Sequence, residues 1–115
     1  MKTVNRAAIV VQPKGPFVDW VNSVGGAHSK VSLDEICDDY SCYLIPEVLS
    51  RREQKEYLEQ NYPGIFFNEV SCWHADRAGW PAKPSFLTFL EWFTVSFHSA
   101  VFDTAGQPLW SPDEA

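Results

Sequence analysis

Apolar residues recur along this chain at two spacings, and each change of spacing marks an element. Residues 5–12 carry apolar side chains on both alternating sets, Ala8 and Val10 on one and Ala7, Ile9 and Val11 on the other. That pattern predicts a central strand covered on both sides, or a short one in a tight core. Pro13-Lys14-Gly15-Pro16 breaks it. Pro16 suits the first turn of a helix, where its missing N–H costs nothing. Phe17, Trp20, Val21 and Val24 then fall at i, i+3, i+4 and i+7, an amphipathic stripe that Gly25-Gly26 can end with a left-handed cap. Ser32 and Glu35 match a capping box and predict a single turn through Cys37.

Tyr40 to Ile45, rich in aromatic and aliphatic residues, reads as a second strand that Pro46 stops. Ser50 and Glu53 form a second capping box. It opens a charged helix over Arg51 to Asn61, anchored by Tyr57 and Leu58, which Pro63-Gly64 is expected to interrupt. Ile65 to Gly79 admits two readings. Phe66, Val70 and Trp73 sit at i, i+4 and i+7, with Trp80 seven further on, which is helical spacing. As a strand, neither alternating face is cleanly apolar, so helix is the better fit.

Ser85 is placed to cap a short helix holding Phe86, Phe89, Leu90 and Phe93. Trp92 to Asp103 then alternates, with Phe93, Val95, Phe97 and Val101 on one parity and Thr94, Ser96 and His98 on the other. This is the best strand in the chain, one face in the core and one partly exposed. Asp103-Thr104-Ala105-Gly106 signals a turn, Leu109-Trp110 a brief return strand, and residues 111–115 a frayed acidic tail. The elements predict one α+β domain over residues 1–115, in the order β-α-β-α-α-β with a short final strand. A three- or four-stranded, mainly antiparallel sheet carries helices mostly on one face. A ferredoxin-like arrangement is one candidate.

Composition changes this picture at three points. With 45% hydrophobic residues, five Trp and eight Phe, the chain can build its core on large rings. Nine Lys and Arg against fifteen Asp and Glu give a net charge of −6, and the one basic doublet, Arg51-Arg52, is followed by Glu53. Phosphate recognition needs clustered cations, so nucleic acid is not an expected partner. The three Cys cannot all pair within one chain, which favours free, mostly buried thiols in the cytoplasm. The run Ala7 to Val11 is too short for a secretory core, and no window approaches the roughly 18 apolar residues of a membrane span.

Leu44-Ile45-Pro46-Glu47, Ile65-Phe66, Trp73 with Asp76, Trp80-Pro81, Phe89 with Trp92-Phe93, His98-Ser99 and Asp103 together form a pattern over residues 40–105. It resembles that of a family of short uncharacterised bacterial proteins. The resemblance implies no activity. It implies a helix before the Trp-Pro pair, and it does not include Cys72 or His74.

The densest chemistry lies in Cys72-Trp73-His74-Ala75-Asp76-Arg77-Ala78-Gly79-Trp80-Pro81. On a strand, Cys72, His74 and Asp76 would converge on one face as a nucleophile or metal group. On a helix, residues two apart lie about 200° apart, so His74 faces away from both. Trp73, Arg77 and Trp80 then share a face on which Arg77 can stack. Metal ligation finds little support elsewhere. Cys37 and Cys42 are spaced too openly for a zinc knuckle. Asp34, Glu35, Asp38 and Asp39 lack the central Gly of an EF-hand loop. Gly25-Gly26 follows a helix instead of opening one, so it is not a phosphate loop. His98, beside Thr94, Ser96 and Ser99, is the one candidate base.

No cofactor or metal is therefore expected. The leading expectation is a non-enzymatic interaction or regulatory module that binds itself or another protein. The alternative is a small-molecule-binding protein or enzyme, its pocket lined by Trp73, Trp80 and Trp92 with His98 and Arg77 as polar groups.

Overall fold

The computed structural model describes residues 1–24, 31–32, 35, 39–47 and 50–109. Five strands and three helices are described: β1 (Lys2–Thr3), β2 (Arg6–Pro13), α1 (Gly15–Val24), β3 (Ser41–Pro46), α2 (Arg51–Trp73), α3 (Phe86–Trp92), β4 (Phe93–His98) and β5 (Phe102–Asp103). A 3-10 turn, Arg77–Gly79, separates α2 from α3. The chain is α+β, as its periodicities predict.

β2 lies at the centre of a three-stranded sheet in the order β3-β2-β4, antiparallel to both neighbours. Its double apolar pattern has this cause. Ala7, Ile9 and Val11 point to the helical layer, and Ala8 is buried on the opposite face. The register is fixed by pairs such as Ala7 with Ile45 and Val11 with Val95. The sheet stops at three strands, so the described residues do not adopt the four-stranded ferredoxin-like arrangement.

All three helices meet the sheet at one residue. Phe93, 1% exposed, has Phe17 of α1 at 5.0 Å, Phe66 of α2 at 5.8 Å and Phe89 of α3 at 5.5 Å between ring centroids. Tilted and edge-on rings at such distances add to the burial of their area. Phe93 satisfies both sequence patterns that claim it. Its N–H caps α3 by donating to the Phe89 carbonyl, and it is also the first residue of β4.

The alternating stretch from Trp92 to Asp103 is not one strand. Ala8 faces His98, but Thr3 faces Phe102, so the N-terminal side has one more residue than its partner between these pairs. Such an offset breaks a ladder as a bulge does. It splits the expected strand into β4 and β5. Asp103 caps the turn that follows, accepting from the Ala105 N–H at 2.8 Å.

α2 corrects a second expectation. Its capping box forms as read, with Ser50 Oγ accepting from the Glu53 N–H and the Glu53 carboxylate accepting from the Ser50 N–H. Yet the helix continues through Pro63 for 23 residues. Pro63 and Gly64 both lie on the exposed side, where the carbonyl deprived of its partner can bond water. The buried stripe Leu58, Ile65, Phe66, Glu69 and Val70 runs past the proline without a gap, and tertiary packing outweighs the local cost. The expected cap at Gly25-Gly26, the turn through Cys37, the return strand ending at Trp110 and the tail 111–115 lie outside the described residues.

Candidate functional site

The cluster of reactive residues over 72–81 is divided by the end of α2. The helix stops at Trp73, and His74 is extended, with φ −152° and ψ 108°. The faces expected from a helix running to Gly79 therefore do not form. The cap His74 donates its N–H to the Val70 carbonyl, and two indoles clasp the segment that follows. Trp80 Nε1 donates to the His74 carbonyl at 2.7 Å, and Trp20 Nε1 donates to the Gly79 carbonyl at 3.1 Å. The His74 ring stands edge-on to Trp20 at 6.2 Å, and Asp76 caps the 3-10 turn by accepting from the Ala78 N–H. Trp80 stacks on Phe67 at 5.5 Å, and the Arg77 guanidinium lies 5.6 Å from the Trp80 ring. Among the described residues no three His, Cys, Asp or Glu side chains gather as a metal site would require.

Gly79 is the tight point of this clasp. A Cβ there would lie 2.6 Å from His74 Nε2 and 2.8 Å from its Cδ2. Gly79→Ala is expected to cost about 1–3 kcal/mol through overpacking. His74→Ala in the same chain should restore much of it. Thermal melts of both singles and the double decide this, and strictly additive losses would show that the ring is not the obstacle.

The other residues picked out in the sequence are dispersed. Trp92 belongs to the aromatic core, 5.2 Å from Phe66 and 6.1 Å from Phe17. Trp73 is 44% exposed at the end of α2. His98 is exposed on β4 and its Nε2 lies 2.9 Å from Ser96 Oγ. Cys42 and Cys72 are free and exposed, not buried as expected. Cys42 shares the outer parity of Leu44, and Cys72 falls outside the buried stripe of α2.

Two grooves flank α2. The first, about 390 Å³, lies between α2, α3 and β4, with Leu58, Phe86, Leu90, Val95 and Phe97 as its apolar lining. Arg51 and Lys55 stand on its α2 wall. Among the described residues, Lys55 is held only by an exposed 3.9 Å contact to Glu59, which neutralises little of its charge. Arg51 makes no ion pair among the described residues.

This groove adjoins a strand edge that is open among the described residues. The Lys14 N–H donates to the Trp92 carbonyl at 2.8 Å, and this fixes the phase of the β2–β4 ladder. Thr94, Ser96 and His98 turn their main-chain groups toward β2, whereas Phe93, Val95 and Phe97 turn theirs outward. The Phe93 N–H is used by the helix cap. Val95 and Phe97 thus present main-chain donors and acceptors at the sheet edge while their side chains line the groove. β3, the opposite edge, is protected differently: its outward set is Cys42, Leu44 and Pro46, and Pro46 has no N–H to offer.

The second groove, about 420 Å³, lies between β3 and α2 and includes Tyr43, Asn61 and Asn68. Behind it Glu69, 6% exposed, is held by the Tyr43 hydroxyl, which donates to Glu69 Oε2 and accepts from Asn68 Nδ2. Burial, and then the bond to Glu69, push the Tyr43 phenol well above the usual tyrosine range. The phenol therefore stays protonated and serves as donor to the buried carboxylate.

Arg51, Lys55, Val95 and Phe97 were not picked out from the sequence as a site, nor were Tyr43 and Glu69. One signal was present. Glu69 is a lone carboxylate on the stripe of Leu58, Ile65, Phe66 and Val70, and a charge in such a place requires a partner. Comparison with family models, with curated protein sequences and with solved structures gave no match.

Proposed function

We propose that this chain is a protein-interaction module which takes an extended segment of a partner protein against the open edge of β4. The observation that carries the reading is the coincidence of edge and groove at Val95 and Phe97. Strand addition draws affinity from main-chain hydrogen bonds and specificity from pockets that receive alternate side chains. Here the same two residues supply both. β4 also lacks the usual protection of an edge, with no Pro, Lys or Glu in Phe-Thr-Val-Ser-Phe-His. Two exposed free thiols favour a reducing compartment, and we place the module in the cytoplasm. No helix among the described residues is long and apolar enough to cross a membrane.

The test is a random-peptide display selection on the full chain. A counter-target carries N-methylated Val95, which removes one outward N–H and leaves the β2 ladder and the side chain intact. Selected peptides should bind the unmodified chain at least about tenfold better, a difference of about 1.4 kcal/mol. No enrichment, or equal binding to both chains, would overturn the reading.

A further inference from the structure

Resting on that docking reading, we infer the chemistry of the occupant: an extended acidic segment in which an apolar side chain and an Asp or Glu occupy alternate positions. In a strand added to β4, successive side chains point to opposite faces of the sheet. Only every second residue of the occupant enters the groove. One inward position meets the lining of Leu58, Phe86, Leu90, Val95 and Phe97, which accepts an aliphatic or aromatic side chain. A neighbouring inward position, two residues along, comes within reach of the α2 wall, where Arg51 and Lys55 stand one helical turn apart. A carboxylate there meets a planar guanidinium able to bind it in a bidentate manner, with an ammonium beside it. Arg51 is also the first residue of α2, so the positive end of the helix dipole adds to the same preference.

The net charge of the chain points the other way. At −6 the molecule as a whole attracts basic partners. At physiological ionic strength, however, charges separated by more than about 8 Å are largely screened. A carboxylate in hydrogen-bond contact with Arg51 or Lys55 lies well inside that distance, so those two side chains act on it more strongly than the remote acidic residues do. Selection in the groove is therefore set by Arg51 and Lys55 and not by the total. The apolar lining distinguishes the occupant from an acidic peptide without pattern, and the open edge distinguishes it from a helix.

The experiment is a fluorescence-polarisation titration of the full chain with labelled eight-residue peptides. One alternates Leu and Glu at the inward positions, one carries Lys for Glu, and one has the first composition with the alternation scrambled. Dodecanoate serves as a small amphipathic anion. The alternating acidic peptide should bind at least about tenfold better than the Lys and scrambled peptides. It should also slow amide exchange at Val95 and Phe97. Arg51→Glu with Lys55→Glu, both on exposed positions of α2, should reverse the charge preference with an unchanged circular dichroism spectrum. Equal binding of the acidic and Lys peptides, or an unmoved preference in the double variant, overturns the acidic occupant and leaves the docking reading standing. Competition by dodecanoate without amide protection overturns it in favour of a small-anion groove. Failure of every peptide, together with no selection in the display experiment, removes the docking reading itself.

Discussion

Phe93→Ala is expected to lower the free energy of unfolding by about 3–5 kcal/mol, the range for truncating a buried aromatic side chain. A domain of ordinary stability has about 5–15 kcal/mol in all, so the variant should sit near the edge of folding. The magnitude follows from where the ring lies. Phe17, Phe66 and Phe89 reach it from three different helices. No single neighbour can move into the void without leaving its own contacts. Phe93→Leu keeps most of the volume and should cost far less. Urea titration followed by tryptophan fluorescence measures both, and Trp92 is the adjacent residue. Leu87→Ala, at a position 66% exposed, is the control and should stay within about 0.5 kcal/mol. A Phe93→Ala loss no larger than that of the control would refute the account of the core.

The second large effect is expected at Tyr43 and Glu69. Tyr43→Phe leaves a buried carboxylate without its phenol donor, and hydrogen bonds to charged groups contribute about 1.5–3 kcal/mol. Glu69→Leu removes the charge itself, and Tyr43, which lines the second groove, can turn its hydroxyl toward water. The double variant should be more stable than Tyr43→Phe alone, because the orphaned charge is gone. A double-mutant cycle measures this coupling, and additive losses would show that the pair does not act as a unit. The same phenol sets an alkaline limit. Its folded pKa lies above the unfolded value of about 10. Its stabilising contribution is thus complete below about pH 10 and drains away as pH rises toward the folded value. Melting temperature should fall more steeply above pH 10 in the native chain than in Tyr43→Phe. Parallel curves would refute the burial of the phenol.

Much of the local structure was legible. The capping box of Ser50 with Glu53, the Ser85 cap, the Phe17 to Val24 stripe and the parity of β4 each depend on residues within a few positions of one another. What failed was decided at longer range. Pro63 by its own chemistry predicts a stop, but its exposed position on a helix whose other side is buried lets α2 continue. Spacing places Gly79 on one helix with Phe66, yet α2 ends at Trp73 and Gly79 belongs to a separate 3-10 turn, held where Trp80 and Trp20 donate to the His74 and Gly79 carbonyls.

The sequence by itself determined the α+β class and most of the local patterns, since hydrophobic periodicity and capping act between near neighbours; that α2 runs unbroken through Pro63 and that β4 and β5 are separate was decided by packing and register. It also contained the lone carboxylate of Glu69. Only the tertiary structure decided where the chemistry gathers. The groove beside β4 draws Arg51, Lys55 and Leu58 from α2, Phe86 and Leu90 from α3, and Val95 and Phe97 from β4. No spacing rule connects side chains that meet only after three elements have packed. The open edge of β4 is likewise a property of strand order and ladder phase, both set when β2 takes the centre of the sheet.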